Sequence, residues 1–223
     1  MRYRVRLPSL LPTLFAALIL TTALPAQAHA AARIAVPGMA LDTDDKRCSL
    51  GLSGSVGGTE YGVTAAHCFQ DGKDVFAHDG YRVGVYERGF GTDDTVDDLG
   101  FALVRYAPNI GSAATMANGL TITSADAGAA VGDQICHVGS TTGDACGTVT
   151  GVHGDYFVAD FPSDKGDSGG IVYRRSGEAA DFLGILIGTE EGGGIVVETA
   201  NHLRDTISAH AGGPFDWRLP PNH

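Results

Sequence analysis

Gly166-Asp167-Ser168-Gly169-Gly170 sets a hydroxyl between glycines. Glycine allows the tight turn that exposes such a side chain and points nearby backbone N–H groups at one spot. Ser168 could then attack a carbonyl carbon while the N–H groups of Gly166 and Ser168 hold the developing oxyanion. A serine nucleophile needs a base, and imidazole both takes and returns a proton near neutral pH. His67, in Thr64-Ala65-Ala66-His67-Cys68, is the candidate, and the other seven histidines have no comparable setting. A carboxylate must orient that imidazole. Thr92-Asp93-Asp94-Thr95-Val96-Asp97-Asp98 offers four, and Asp98 is the expected one because it directly precedes the apolar run Leu99 to Val104. Asp97 is the alternative, since a one-residue slip turns every strand side chain to the other face. The remaining carboxylates read as a solvated loop or a calcium site.

The string G-x-S-x-G occurs on two unrelated folds. In α/β-hydrolases the chain order is serine, acid, histidine, which would require Asp181 or Asp205 with His202 or His210. Here His67 and Asp98 both precede Ser168, and only 55 residues follow it, too few to complete such a sheet with its helices.

The elements that must position these groups lie after an N-terminal leader. Residues 1–30 contain Arg2, Arg4 and Arg6, an apolar run from Leu10 to Leu24 and the small-residue ending Ala26-Gln27-Ala28-His29-Ala30, the pattern of a secretory signal peptide. A membrane anchor is disfavoured because the run is short for a span and Pro12 interrupts it. The leader carries three of the 15 Lys+Arg and none of the 26 Asp+Glu, so residues 31–223 have a net charge of −14. That balance argues against a nucleic-acid surface and for a well-solvated exported chain, with no handle on assembly beyond an expected monomer.

Four cysteines in an exported chain read as a disulfide framework. Three connectivities are possible, and the close spacing of Cys48 with Cys68 and of Cys136 with Cys146 favours sequential pairing. Neither C-x-x-C nor H-E-x-x-H occurs, and no metal or cofactor is expected. Short β-branched and aromatic runs at Tyr61–Thr64, Tyr81–Tyr86, Phe101–Tyr106, Gln134–Val138, Gly147–Val152, Tyr156–Phe161, Ile171–Tyr173, Phe182–Ile187 and Gly194–Val197 read as strands between turn signals. One helix is expected over Glu198–Ser208, where Leu203 and Ile207 are four apart. The Ala- and Gly-rich stretch from Ile110 to Ala130 is the expected connection between two lobes.

Together these motifs resemble the chymotrypsin-like serine peptidases, and within them the small streptogrisin-like enzymes of actinobacteria, short mycobacterial members included. Arg47-Cys48-Ser49-Leu50-Gly51 resembles that family's first strand, and Cys136-His137-Val138-Gly139-Ser140-Thr141-Thr142-Gly143-Asp144-Ala145-Cys146-Gly147-Thr148 its cysteine hairpin. The resemblance covers residues 47 to about 207. It implies an all-β fold of two six-stranded antiparallel barrels, over about 45–115 and 125–210, with disulfides Cys48–Cys68 and Cys136–Cys146. It also implies a secreted serine endopeptidase acting through His67, Asp98 and Ser168 on protein or peptide substrates. Gly100 matches the small residue the family sets two places after its acid. Ile187, Gly188 and Thr189 match the strand that lines the primary specificity pocket, and a branched Thr189 at the pocket mouth favours small P1 residues.

Three departures from the family pattern raise expectations of their own. Ile171 stands where Pro is common. Ile187 replaces a serine that supports the acid, which leaves open a weakly active or inactive pseudo-protease serving as a binding module. His137 stands where streptogrisin-like enzymes use an arginine to hold the aspartate beside the nucleophile, so His137 is expected to donate to Asp167. The competing source of that contact is an amine released by a cut between Arg33 and Ile34.

Overall fold

The computed structural model describes residues 33–125 and 127–221. The expected signal peptide, residues 1–30, lies outside them. The chain builds strands β1 (Arg33–Ala35), β2 (Ala40–Asp42), β3 (Arg47–Ser49), β4 (Ser53–Val56), β5 (Thr59–Ala65), β6 (Asp74–Phe76), β7 (Arg82–Phe90) and β8 (Phe101–Tyr106). A short β9 (Ile110–Ser112) pairs in parallel with β1. There follow β10 (Thr121–Ser124), β11 (Gln134–Gly139), β12 (Gly143–Val152), β13 (Tyr156–Ala159), β14 (Ile171–Ser176), β15 (Ala179–Thr189) and β16 (Ile195–Thr199). Helix α1 (Ala200–His210) and β17 (Phe215–Trp217) end the fold.

Alternating burial explains why these runs form strands. In β14, Val172 points into one core with Val149, Phe157, Leu186 and Val197, while Ile171 and Tyr173 point into the other. A strand buried on both faces reads as a continuous apolar run, and Ile171-Val172-Tyr173 is one. β15, β14, β11, β12, β13 and β16 pair in that order, and a β15–β16 ladder closes them into a six-stranded barrel. The N-terminal sheet, in the order β17-β4-β5-β8-β7-β6-β2-β3, curls without a closing ladder. It takes its first strand before residue 45 and its last after residue 210. The chain is all-β with one short helix, as the sequence led us to expect.

Helix α1 begins two residues later than expected because Thr199 caps it: its side chain accepts from His202 N. Leu203 and Ile207 anchor the helix in the shared core, beside Phe182 and Phe215. Cys48 pairs with Cys68 and Cys136 with Cys146. The first bridge ties β3 to the one-turn 3₁₀ segment Ala66–Cys68, and that segment carries His67.

Candidate active site

Ser168 sits on a turn that enters β14 and is bound from both sheets. Ser168 O accepts from Ser49 N at 2.8 Å, and Gly169 N donates to Leu186 O at 2.7 Å. Gly166 O accepts from the hydroxyls of Ser49 (2.7 Å) and Ser140 (2.9 Å), and Lys165 O from Thr141 Oγ1 (2.9 Å). With those carbonyls pinned, the N–H groups of Gly166 and Ser168 are left without a hydrogen-bond partner among the described residues. Two unpaired N–H groups flanking a partly exposed serine are what an oxyanion would fill.

Glycine is required at Gly169, where φ is +81°. A Cβ there would also lie 2.6 Å from Ser49 O and 2.9 Å from Ala65 N. Gly169→Ala is therefore expected to cost at least about 1–3 kcal/mol through backbone conformation and crowding. Thermal unfolding of the variant should fall by several degrees, and an unchanged midpoint would contradict this packing.

The carboxylate of Asp167 is buried beneath the turn. Its Oδ1 accepts from Thr141 N (2.9 Å) and Thr142 N (3.0 Å), and its Oδ2 from Asp164 N (2.9 Å) and the Thr142 hydroxyl. Burial by itself pushes its pKa up, but these hydrogen bonds outweigh burial and hold it below the usual carboxylate value. His137 is not among the donors, which corrects the sequence expectation. Its Nε2 instead lies 2.8 Å from Pro162 O and its ring stacks on Phe161, with centroids 4.6 Å apart. Burial lowers the pKa of His137, so it is a neutral donor that braces the segment leading to the nucleophile turn. The Arg33–Ile34 bond is not beside Asp167 either. Arg33 lies in β1, paired with the Asp79 carboxylate and stacked 4.1 Å over the Tyr81 ring.

His67 meets a carboxylate, and it is that of Asp93. His67 Nδ1 lies 3.3 Å from Asp93 Oδ2, His67 N donates to the same oxygen at 3.3 Å, and Gly100 N donates to Asp93 Oδ1 at 3.0 Å. The Asp93 side chain is 0% exposed and that of His67 31%, so the acid is enclosed and the imidazole reaches solvent. In the tautomer with its proton on Nδ1, facing Asp93, His67 would keep Nε2 free as an acceptor. No hydrogen bond yet joins His67 to Ser168 among the described residues. Such bonds are often loose before substrate binds.

Neither Asp98 nor Asp97 faces His67, a second correction. Asp98 Oδ2 accepts from Thr92 N at 3.1 Å and from the Thr92 hydroxyl at 2.6 Å, while Asp98 O accepts from Thr92 N and Asp93 N. Both aspartates are exposed. The physical reason lies in the hairpin. Its ladder ends at the Phe90–Phe101 pair, and Gly91 faces Gly100 at the neck of the loop, so Gly100 N is free to receive Asp93. Asp93 turns back into that neck with φ +57°, the one positive φ at a non-glycine among the described residues and one that Asp tolerates.

On the strand expected to line the specificity pocket, Ile187 is buried in the core and does not present its side chain to a substrate. Gly188 does face open space: a Cβ there would touch nothing within 4 Å. Thr189 is exposed at the end of β15.

The chain is similar to glutamyl endopeptidase 2 of Streptomyces griseus, at 37% identity over 154 residues that make up 62% of this chain and 79% of that one. It belongs to the chymotrypsin-like serine peptidases. An uncharacterized protein of Mycobacterium tuberculosis (strain CDC 1551 / Oshkosh) is 30% identical over 195 residues, 79% of this chain and 85% of the relative. Among solved structures, a glutamic-acid-specific serine protease described as using a novel histidine triad in substrate binding is 33% identical, with a TM-score of 0.60 over 78% of this chain and 97% of the other. Thermobifida fusca protease A, at 23% identity and a TM-score of 0.63 over 84% of this chain and 100% of its own, shares the fold. No family model matches the chain.

Proposed function

We propose that this chymotrypsin-like chain is an exported serine endopeptidase that works through Ser168, His67 and Asp93. Ser168 Oγ adds to the scissile carbonyl carbon as His67 Nε2 takes its proton, and the oxyanion settles on the N–H groups of Gly166 and Ser168. Asp93 holds the imidazole with Nε2 directed away from the enclosed carboxylate and stabilises the imidazolium. The imidazolium then protonates the leaving amine as the C–N bond breaks. Water, deprotonated by His67, next attacks the acyl-enzyme and releases the second product with Ser168 restored. The observation that carries this reading is the contact of His67 with the enclosed Asp93 carboxylate at 3.3 Å, found in the same chain as a serine turn whose Gly166 and Ser168 N–H groups are unpaired among the described residues. Two disulfides suit an oxidising compartment. No helix among the described residues is long and apolar enough to cross a membrane.

A second reading, an inactive binding module on the same fold, is favoured by one observation: the hydrogen bonds that Asp93 accepts come from two backbone N–H groups, with no side-chain hydroxyl among them in the described residues. For specificity, the branched and exposed Thr189 at the end of β15 supports a preference for small apolar P1 residues. Among the described residues the histidines other than His67 are engaged singly: His78 lies 2.9 Å from Arg47 Nη2, His137 binds Pro162 O, His153 stacks on Tyr156, His202 binds Glu198 and His210 stacks on Phe90, so a histidine triad like that described for the glutamic-acid-specific relative is not supported.

One experiment separates these readings. The chain is incubated with a serine-directed phosphonate and, separately, with a peptide library. The expected result is stoichiometric label on Ser168 and cleavage after Ala or Val, preferred roughly 10- to 200-fold over large or charged P1 residues. Absence of both label and cleavage would establish the binding module. Cleavage after Glu, Arg or Phe would keep the peptidase and overturn the pocket.

A further inference from the structure

The segment Lys46-Arg47-Cys48-Ser49 reaches both the proposed base and the proposed nucleophile. Toward the base, Cys48 is bonded to Cys68 and Lys46 Nζ donates to His67 O at 2.6 Å, so the segment Ala66–Cys68 is held at two points. Toward the nucleophile, Ser49 N donates to Ser168 O at 2.8 Å and Ser49 Oγ to Gly166 O at 2.7 Å. Ser49 is fully buried and its hydroxyl is committed. Oγ accepts from Ser140 N at 2.8 Å, which leaves its single proton for Gly166 O. Ser49 O in turn accepts from Thr64 Oγ1 at 2.8 Å, and Thr64 lies in the strand that runs into the His67 segment. No hydrogen bond joins His67 to Ser168 among the described residues, so their relative placement rests on the elements that hold them both.

The two bonds from Ser49 to the turn are not equivalent. The main-chain bond survives any side chain at residue 49 and fixes one point, Ser168 O. A turn held from the other sheet at one point can pivot about it. The hydroxyl adds a second point at Gly166, which has φ +102° and no Cβ to restrict its backbone. Ser140 Oγ also donates to Gly166 O, at 2.9 Å, but Ser140 directly follows β11 in the same barrel as the turn, whereas Ser49 belongs to the N-terminal sheet.

We propose that Ser49 is a positioning residue whose hydroxyl sets the nucleophile turn against the strand that tethers His67. It acts through Gly166 and touches no substrate. The inference rests on the peptidase reading for its purpose, and its test includes a readout that needs no turnover. Displacing reacting groups by about 1 Å costs on the order of 10²-fold in rate, so a pivot of the turn is read in kcat rather than in KM.

The test compares Ser49→Ala with Ser53→Ala. The second makes the same deletion at another fully buried serine of the same sheet, whose hydroxyl is 2.7 Å from Tyr106 OH. Lys165-Gly166 is the one Lys-Gly pair in the sequence. A chain with ¹³C at lysine carbonyls and ¹⁵N at glycines therefore gives a single HNCO peak, that of the peptide carrying the Gly166 N–H. In Ser49→Ala, kcat should fall about 10- to 100-fold with KM within about twofold, and the peak should move. Ser53→Ala should keep kcat within about twofold and leave the peak in place. An unchanged kcat or an unmoved peak in Ser49→Ala would overturn the proposal, as would an equal loss of kcat in both variants, which would mark general destabilisation. Should Ser49→Ala fail to fold, Ser140→Ala decides: it cuts the tie within the barrel and spares the one from Ser49, so kcat must fall by less than about threefold, and a larger loss rejects Ser49 as the residue that sets the turn. A peak that moves in Ser49→Ala alone, in a chain that hydrolyses no peptide, would keep this inference and reject the peptidase.

Discussion

Asp93→Asn is expected to lower kcat/KM about 10⁴-fold, whereas Asp97→Asn should leave it within about twofold. An asparagine at residue 93 still accepts from Gly100 N, so the loop holds. Its amide, however, cannot take the Nδ1 proton of His67, and the imidazole is left in the tautomer that offers no acceptor to Ser168. Asp98 should behave between these limits. Its carboxylate closes the loop on Thr92 and so aims Asp93, and Asp98→Ala removes two hydrogen bonds to an exposed charged group. The expected loss is about tenfold, the scale of one such bond, through a less ordered Asp93 rather than a missing one. Steady-state kinetics on the three variants, with folding checked by near-UV circular dichroism, gives the ranking. If Asp98→Ala were the crippling change and Asp93→Asn mild, the acid would be Asp98 after all.

Why the sequence led to Asp98 is instructive. Strand β8 was legible to the residue, Phe101–Tyr106, because Phe-Ala-Leu-Val is buried on both faces. Extrapolating the acid back along that strand assumed that the ladder continues to residue 98. It stops at Phe101, and the loop doubles back so that a residue eight places upstream of the strand returns to its mouth. The signal that could have shown this was the pair Gly91 and Gly100, a neck where backbones approach too closely for side chains: a Cβ on Gly91 would lie 2.9 Å from Leu99 O. The settings of Ser168 and His67 were legible because each is fixed locally, Ser168 by a glycine turn and His67 by a segment tied through Cys68 to β3, while their roles remain part of the proposal. That of His137 was not. Its fate depends on Phe161 and Pro162, which are distant in sequence, and a residue-for-residue substitution of arginine by histidine shortens the reach to Asp167. The open N-terminal sheet was likewise invisible, since closure of a barrel is decided by tilt and shear across all its strands rather than by any one of them.

Asp167 carries the second large effect. Its carboxylate already accepts from four neutral donors, so in the proposed mechanism the Gly166 and Ser168 N–H groups are expected to be set without a liberated amine or His137. In Asp167→Asn the new amide must face either the two threonine N–H groups or Asp164 N, donor against donor in a buried place. Loss of hydrogen bonds to a buried charge costs about 1.5–3 kcal/mol of stability. Because the Gly166–Ser168 turn is thereby released, kcat should fall about 10²- to 10³-fold with KM little changed, as expected for donors that act on the transition state. The pH dependence has a definite sign. The folded pKa of Asp167 lies below its ordinary value of 3.8. Its stabilisation is therefore complete above that pH and disappears as pH falls below it through the folded value. The gap in unfolding temperature between wild type and Asp167→Asn should accordingly be constant near neutrality and narrow only in strong acid. Thr142→Val, which removes one donor and leaves three, should show a smaller loss and should bring the end of the narrowing, set by the folded pKa, to higher pH. A full kcat in Asp167→Asn would mean that the turn holds its shape without the carboxylate, and a gap that narrows on raising the pH would mean that a group other than Asp167 carries the charge.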